Sequence, residues 1–156
     1  MKKILILTSY YLPNASANGI NTMYIVNELK RRGNKVFLIS LKRKNEKSFE
    51  YIDSIPVYRI TPSIYSRIIE RENSIKTKNY SFLNKAMFKL LRLLRLLKMM
   101  FLVFKFPNTD ILQTNKTYKN LKKLHEVEKF DCVIGVFKAY SNIAAIRKFN
   151  RKHDNV

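Results

Sequence analysis

The chain has 156 residues, 46% of them apolar, with one cysteine and 31 Lys and Arg against 11 Asp and Glu, a formal net charge of +20. That length suits one domain with a real core, the apolar content excludes a disordered chain, and the single Cys132 excludes an internal disulfide framework. The charge favours an anionic partner, but no helix-turn-helix signature, zinc-finger Cys/His spacing or aromatic–Gly motif of an RNA-recognition sheet is present, so nucleic acid is the weaker candidate.

Met1, Lys2 and Lys3 are followed by an apolar run that stops at Leu7, too short for a secretory signal. Ile4 to Leu7 reads instead as a strand, Ser9 to Ala17 as a loop, and Asn18 to about Arg32 as a helix. Thr22, Ile25, Val26 and Leu29 fall at i, i+3, i+4 and i+7, which gives that helix one buried face. Asn18 is placed to cap its start, Lys30, Arg31 and Arg32 suit the negative end of its dipole, and Gly33 can take the left-handed conformation that ends it. Val36 to Leu41 begins three residues later, and so tight a return predicts a parallel strand beside the first, reached by a right-handed crossover.

Lys42 to Glu50 reads as a charged connection, Pro56 as the opening of a strand from Val57 to Ile60, and Ser63 to Ser81 as loop with some helix. Phe82 to Phe106 is predicted as a helix. Between Glu72 and Asp110 there is no acidic residue, and Lys85, Lys89, Arg92, Arg95 and Lys98 step by four and then three into one slowly rotating basic stripe. The longest uncharged stretch, Met99 to Phe104, is six residues, far below the ~18 a spanning helix needs. Two readings stay open: a helix covering the core with its basic side chains snorkelling to water, or one lying in the surface of an anionic bilayer.

Pro107 ends that helix, Asp110 to Gln113 is expected as a short strand, and Thr117 to Glu128 as a helix. Cys132 to Phe137 carries no charge, which suits a strand buried on both faces of a parallel sheet and an inert, buried thiol. Ser141 to Lys152 follows as a helix, with Ile143, Ile146 and Phe149 along one side.

Several chemistries find no support. Gly19, Gly33 and Gly135 are too far apart for a dinucleotide fingerprint, and no Gly-Lys-Ser/Thr phosphate loop or G-x-S-x-G turn occurs. His125 and His153 have no partner at metal-ligand spacing. Glu70 with Glu72, and Glu126 with Glu128, are two apart and would not share a helix face, so they read as solvated charges.

The order and spacing of KILILTSYYLP, ASANGINTMYIVNELKRRGNKVFLIS and FDCVIGVFKAYSNIAAIRKFNRKHDNV resemble the family 4 glycosyltransferases of the GT-B fold, well over residues 1–61 and moderately over 129–156. The resemblance implies an α/β, Rossmann-like parallel sheet with helices on both faces, forming residues 1–156 as the acceptor-side, N-terminal half of a two-domain enzyme. Such a domain receives a saccharide or lipid-linked acceptor. A nucleotide-sugar donor belongs to the parent enzyme, and no cofactor or metal is held by this chain. The loop after the first strand lines the cleft in that family, which makes Asn18, Gly19 and Ile20 the substrate-binding candidates; Asn18 stands where many members carry the first of two glycines.

No catalytic residue is assigned. Retaining members carry two glutamates eight positions apart in the donor domain, whereas Glu28, Glu46, Glu50, Glu70, Glu72, Glu126 and Glu128 contain no such pair. The expectation is therefore a truncated piece, inactive alone, of an enzyme of surface polysaccharide or glycolipid synthesis. It would be cytoplasmic or peripheral on the inner membrane face, with Lys85, Lys89, Arg92, Arg95 and Lys98 toward the lipid. The alternative is a non-enzymatic basic α/β module that binds an anionic membrane surface or, less favoured, nucleic acid.

Overall fold

In the computed structural model, residues 1–13, 17–64, 66–68, 89–90, 92–97, 100, 110–136 and 140–153 are described. The apolar run after Lys2 forms β1 (Lys3–Leu7), whose last four residues are buried because neighbours cover both faces. Helix α1 (Ala17–Arg31) returns the chain to β2 (Lys35–Leu41), which pairs parallel with β1 from Lys3↔Lys35 to Leu7↔Ile39. Gly33, at φ +78°, closes α1 in the expected way: its N–H donates to the Lys30 carbonyl at 2.8 Å, and Asn34 N–H donates to Leu29 at 3.2 Å. The start differs by one position. Asn18 lies inside the first turn, where its carbonyl accepts a hydrogen bond from Thr22, so it is not the cap.

The charged connection is shorter than expected, since Phe49–Ile52 forms a strand, β3, antiparallel to β4 (Ile55–Ile60). Asp53 and Ser54 join them with φ of 49° and 65°, the left-handed pair that a two-residue hairpin loop requires. Strand β4 begins ahead of Pro56. Its pairing with β2 starts at Leu38↔Val57, so the missing proline N–H removes no rung on that side.

Residues 111–113 are helical and not a strand: α2 spans Ile111–Glu128, capped by Asp110, whose carboxylate accepts from Gln113 N–H at 3.0 Å. Strand β5 (Cys132–Gly135) pairs parallel with β1, and α3 (Tyr140–Asn150) follows. The strand order is β3-β4-β2-β1-β5. That order puts β5 at an edge, which explains why its residues and the free Cys132 are half-buried where full burial was expected. The thiol is therefore less sealed than its apolar surroundings in sequence suggest.

Alternation along the strands sorts the core into two layers. On one face Ile4, Ile6, Val36, Leu38 and Val57 pack with Val26 of α1; on the other Leu5, Leu7, Phe37 and Ile39 pack with Leu121 of α2 and Phe149 of α3. The fold is α/β and Rossmann-like, a mostly parallel five-stranded sheet with helices on both faces. Of the predicted 82–106 helix, residues 89–90, 92–97 and 100 are described and helical; Lys85 and Lys98 lie outside the described residues. No helix among the described residues is long and apolar enough to cross a membrane.

Candidate functional site at the carboxyl edge of the sheet

From β1 the chain proceeds to β2 and β4 on one side, then returns to place β5 on the other. This reversal makes the carboxyl ends of β1 and β5 a topological switch point, the place where open α/β sheets leave a crevice for ligands. Both α1 and α3 start from this edge, so the positive ends of both helix dipoles face it.

Most polar groups along the edge are engaged with one another. After β4, the Asp110 carboxylate accepts hydrogen bonds from the Ser63 hydroxyl at 2.7 Å and the Ser66 hydroxyl at 2.9 Å. Gln113 Oε1 accepts from Ser63 N–H at 2.8 Å, and its amide nitrogen donates to Thr117 at 3.3 Å. After β1 and β2, the wholly buried Arg59 guanidinium lies 3.2 Å from Glu46, pairs with Glu50, and donates to the Leu12 carbonyl at 2.6 Å. Arg59 thus fastens the loop that follows β1 to the β2–β3 connection. Arg43 caps this corner, lying 4.4 Å over the Tyr10 ring.

The switch point is different. Ser9 and Asn142 are 4% and 5% exposed, yet Ser9 Oγ and Asn142 Nδ2 have no hydrogen-bond partner. Ser40 Oγ, near the end of β2, is also unpartnered, as is Asn150 Oδ1 at the far end of α3. Backbone bonds from Thr8 N–H to Ile39 and from Leu41 N–H to Ser9 carry the extended ladder past the end of β1. Ser9 is thus held just beyond the end of β1, its carbonyl bonded to Leu41 N–H. Asn142 belongs to the buried side of α3 with Ala145 and Phe149. Two buried, unpartnered polar side chains thus stand at one edge of the sheet. An unmade hydrogen bond of this kind costs about 1–3 kcal/mol, which points to a partner supplied from outside the chain.

Gly135, at the end of β5, lets α3 come close: a Cβ there would meet Ile146 Cδ1 at 2.7 Å and Ile143 Cδ1 at 2.9 Å. That contact explains the Ile143 and Ile146 spacing seen in the sequence. Of the candidates from the resemblance, Asn18 is half-buried, Gly19 is buried within the first turn of α1, and Ile20 is 45% exposed. They sit at the expected edge, but neither described cavity touches them. Thr22 is the link from α1 to the strand end, its hydroxyl 3.4 Å from that of Thr8.

A cavity of about 330 Å³ lies at the opposite, amino edge, among Met1, Lys30, Lys35, Tyr51, Pro56 and Glu128. Its cations already have partners: Lys30 donates to the Asp53 carbonyl at 2.6 Å, and Lys35 lies 4.0 Å from Glu128 and 5.1 Å from the Phe37 ring centroid. A second cavity of about 190 Å³ under α2 is lined by Ile39, Tyr58, Asn120, Lys123 and Leu124. Neither gathers unsatisfied polar groups as the switch point does.

Among the described residues no group of three or more His, Cys, Asp or Glu could hold a metal. The fold does bring His125 and His153 together, 5.8 Å between ring centroids, around Phe149. His125 Nδ1 accepts the Phe130 N–H at 3.2 Å, and burial, then the neighbouring His153 and Lys129 charges, hold its pKa below the ordinary value. Its role is packing. Sequence reasoning missed Ser9 and Asn142, since a loop serine and a helical asparagine carry no signal until topology places them. No family model matches the chain, and no curated protein or solved structure matches it significantly.

Proposed function

We propose that this chain is the acceptor-side domain of a nucleotide-sugar-dependent glycosyltransferase, and that the carboxyl edge at the β1–β5 switch point receives a saccharide. The observation that carries the reading is the pair of buried, unpartnered atoms there, Ser9 Oγ and Asn142 Nδ2, with Ser40 Oγ of the neighbouring β2 also unpartnered. Sugar hydroxyls donate and accept, which suits a serine hydroxyl and an amide NH2 at one edge of the sheet. The strand–loop–helix–strand opening, found parallel and adjacent, supports the same reading.

In this reading Ser9 and Asn142 orient the acceptor, and the α1 start around Asn18, Gly19 and Ile20 forms the adjoining wall. The donor and the paired glutamates of the retaining members are not provided by these residues; a second domain would supply them. No catalytic base is assigned here.

The test is calorimetric titration of the chain with a panel of free and lipid-phosphate-linked saccharides. Asn142→Ala is expected to weaken binding about tenfold, the loss of roughly one hydrogen bond, without lowering thermal stability. Equal affinity for wild type and variant, or no binding by any saccharide, would contradict the assignment. Incubated alone with nucleotide-sugars and acceptors, the chain is expected to transfer no sugar, and measurable transfer would refute the acceptor-only role.

A further inference from the structure

We propose that the exposed leucine stripe between Leu90 and Met100 is a docking surface for an anionic lipid bilayer, with the helical residues lying in the headgroup plane. Leu90, Leu93, Leu94 and Leu97 stand at i, i+3, i+4 and i+7, the spacing by which an amphipathic helix buries one face. Here that face is turned outward: the four leucines are 56%, 53%, 47% and 48% exposed, and Met100 is 70% exposed. Leu96 is 52% exposed, and Lys89 and Arg92 are exposed as well, so among the described residues of this helix Arg95 alone is half-buried. A core-covering helix would hide its leucines instead.

Charge selects the occupant. Lys89 is exposed at the border of the leucine arc, Arg92 is exposed further round the helix, and no acidic residue occurs between Glu72 and Asp110. A second copy of this chain would set those cations against their equals, at a net charge of +20 on each molecule. An anionic bilayer offers acyl chains to the leucines and phosphates to the exposed cations. Each cation near such a surface strengthens partition roughly fivefold. The described residues contain no spanning helix, so the stripe lies on the bilayer and does not cross it. None of these residues belongs to the proposed saccharide site, so either assignment can fail alone.

The experiment is co-sedimentation of the chain with vesicles of phosphatidylcholine alone and of an equal mixture with phosphatidylglycerol, at low and high salt. A charge of +20 would by itself draw the protein to the anionic vesicles, so the leucines decide the outcome. The double variant Leu93→Ser/Leu97→Ser keeps every charge. It is expected to lose partition to the mixed vesicles on the order of a hundredfold or more, with an unchanged melting temperature. Lys89→Ser/Arg92→Ser should lose less, and its residual binding should depend less on salt. Wild-type binding that ignores lipid charge, or equal partition of the leucine variant, overturns the proposal. So does a lowered melting temperature of that variant, which would mean packed leucines, or a lipid-free oligomer that it dissolves, which would mean a self-interface.

Discussion

Two sets of leucines in this chain meet opposite fates. Leu5, Leu7, Leu38 and Leu121 are completely buried, while Leu90, Leu93, Leu94 and Leu97 are each about half exposed. The first set lies on strands sandwiched between helices, or on the helix covering them, and its spacing matches the two layers it fills. The second has equally regular spacing, yet its leucines stay exposed. Periodicity thus states that a face is apolar; only the fold states what covers it.

The sharpest way to break this comparison is truncation on each side. Leu121→Ala leaves a cavity between α2 and the sheet and is expected to cost about 2–5 kcal/mol by urea denaturation. Leu94→Ala is expected to stay within roughly 0.5 kcal/mol, as exposed substitutions do. Similar losses for the two would erase the distinction.

A smaller effect is expected at Asp110. That carboxylate caps α2 and holds the hydroxyls of Ser63 and Ser66, so Asp110→Ala should cost about 1–3 kcal/mol. Asp110→Asn should recover part of it, because an amide oxygen still caps.

A pH dependence just below neutrality should come from His125. The His125 pKa is lowered in the fold, first by burial, while the unfolded side chain titrates near the ordinary value of about 6.5. A depressed folded pKa means the unfolded chain binds more protons, so the stability is complete above that value and declines as pH falls through the folded one. Melting temperature should therefore drop on acidification through this window, partly because protonation removes the Nδ1 acceptor of Phe130 N–H. His125→Asn, which can keep an acceptor there, should flatten the curve. A curve as steep in the variant as in the wild type would assign the effect elsewhere.

The smallest expected change is a gain. Lys129 ends α2 in the left-handed conformation, φ 52°, where glycine is at ease. Lys129→Gly should stabilise the fold by up to about 1 kcal/mol in denaturant melts, leaving vesicle partition as it was.

The strands and α1 were legible because their apolar runs are buried on the spacing they advertise, and Gly33 closes the helix by the geometry its position implies. The start of α2 was not, because its buried side is polar: Gln113, Thr114 and Thr117 are hidden by hydrogen bonding, which hydrophobic patterning does not register. Strand β3 escaped notice for a related reason. It sits at the sheet edge, alternates between exposed and half-buried positions, and follows a run of charge. At the site, the β1–α1 turn could be located from the sequence. Ser9 and Asn142 could not, since 133 positions separate two residues that only the β1–β5 pairing brings to one edge.

The most direct measurement is an amide NMR titration of the isotope-labelled chain with the saccharide that binds most tightly in calorimetry. The account predicts saturable shifts at Ser9, Gly19, Gly135 and Asn142, with Lys30, Tyr51 and Ser54 at the amino edge unmoved. Shifts confined to that amino edge, with the switch point silent, would contradict it.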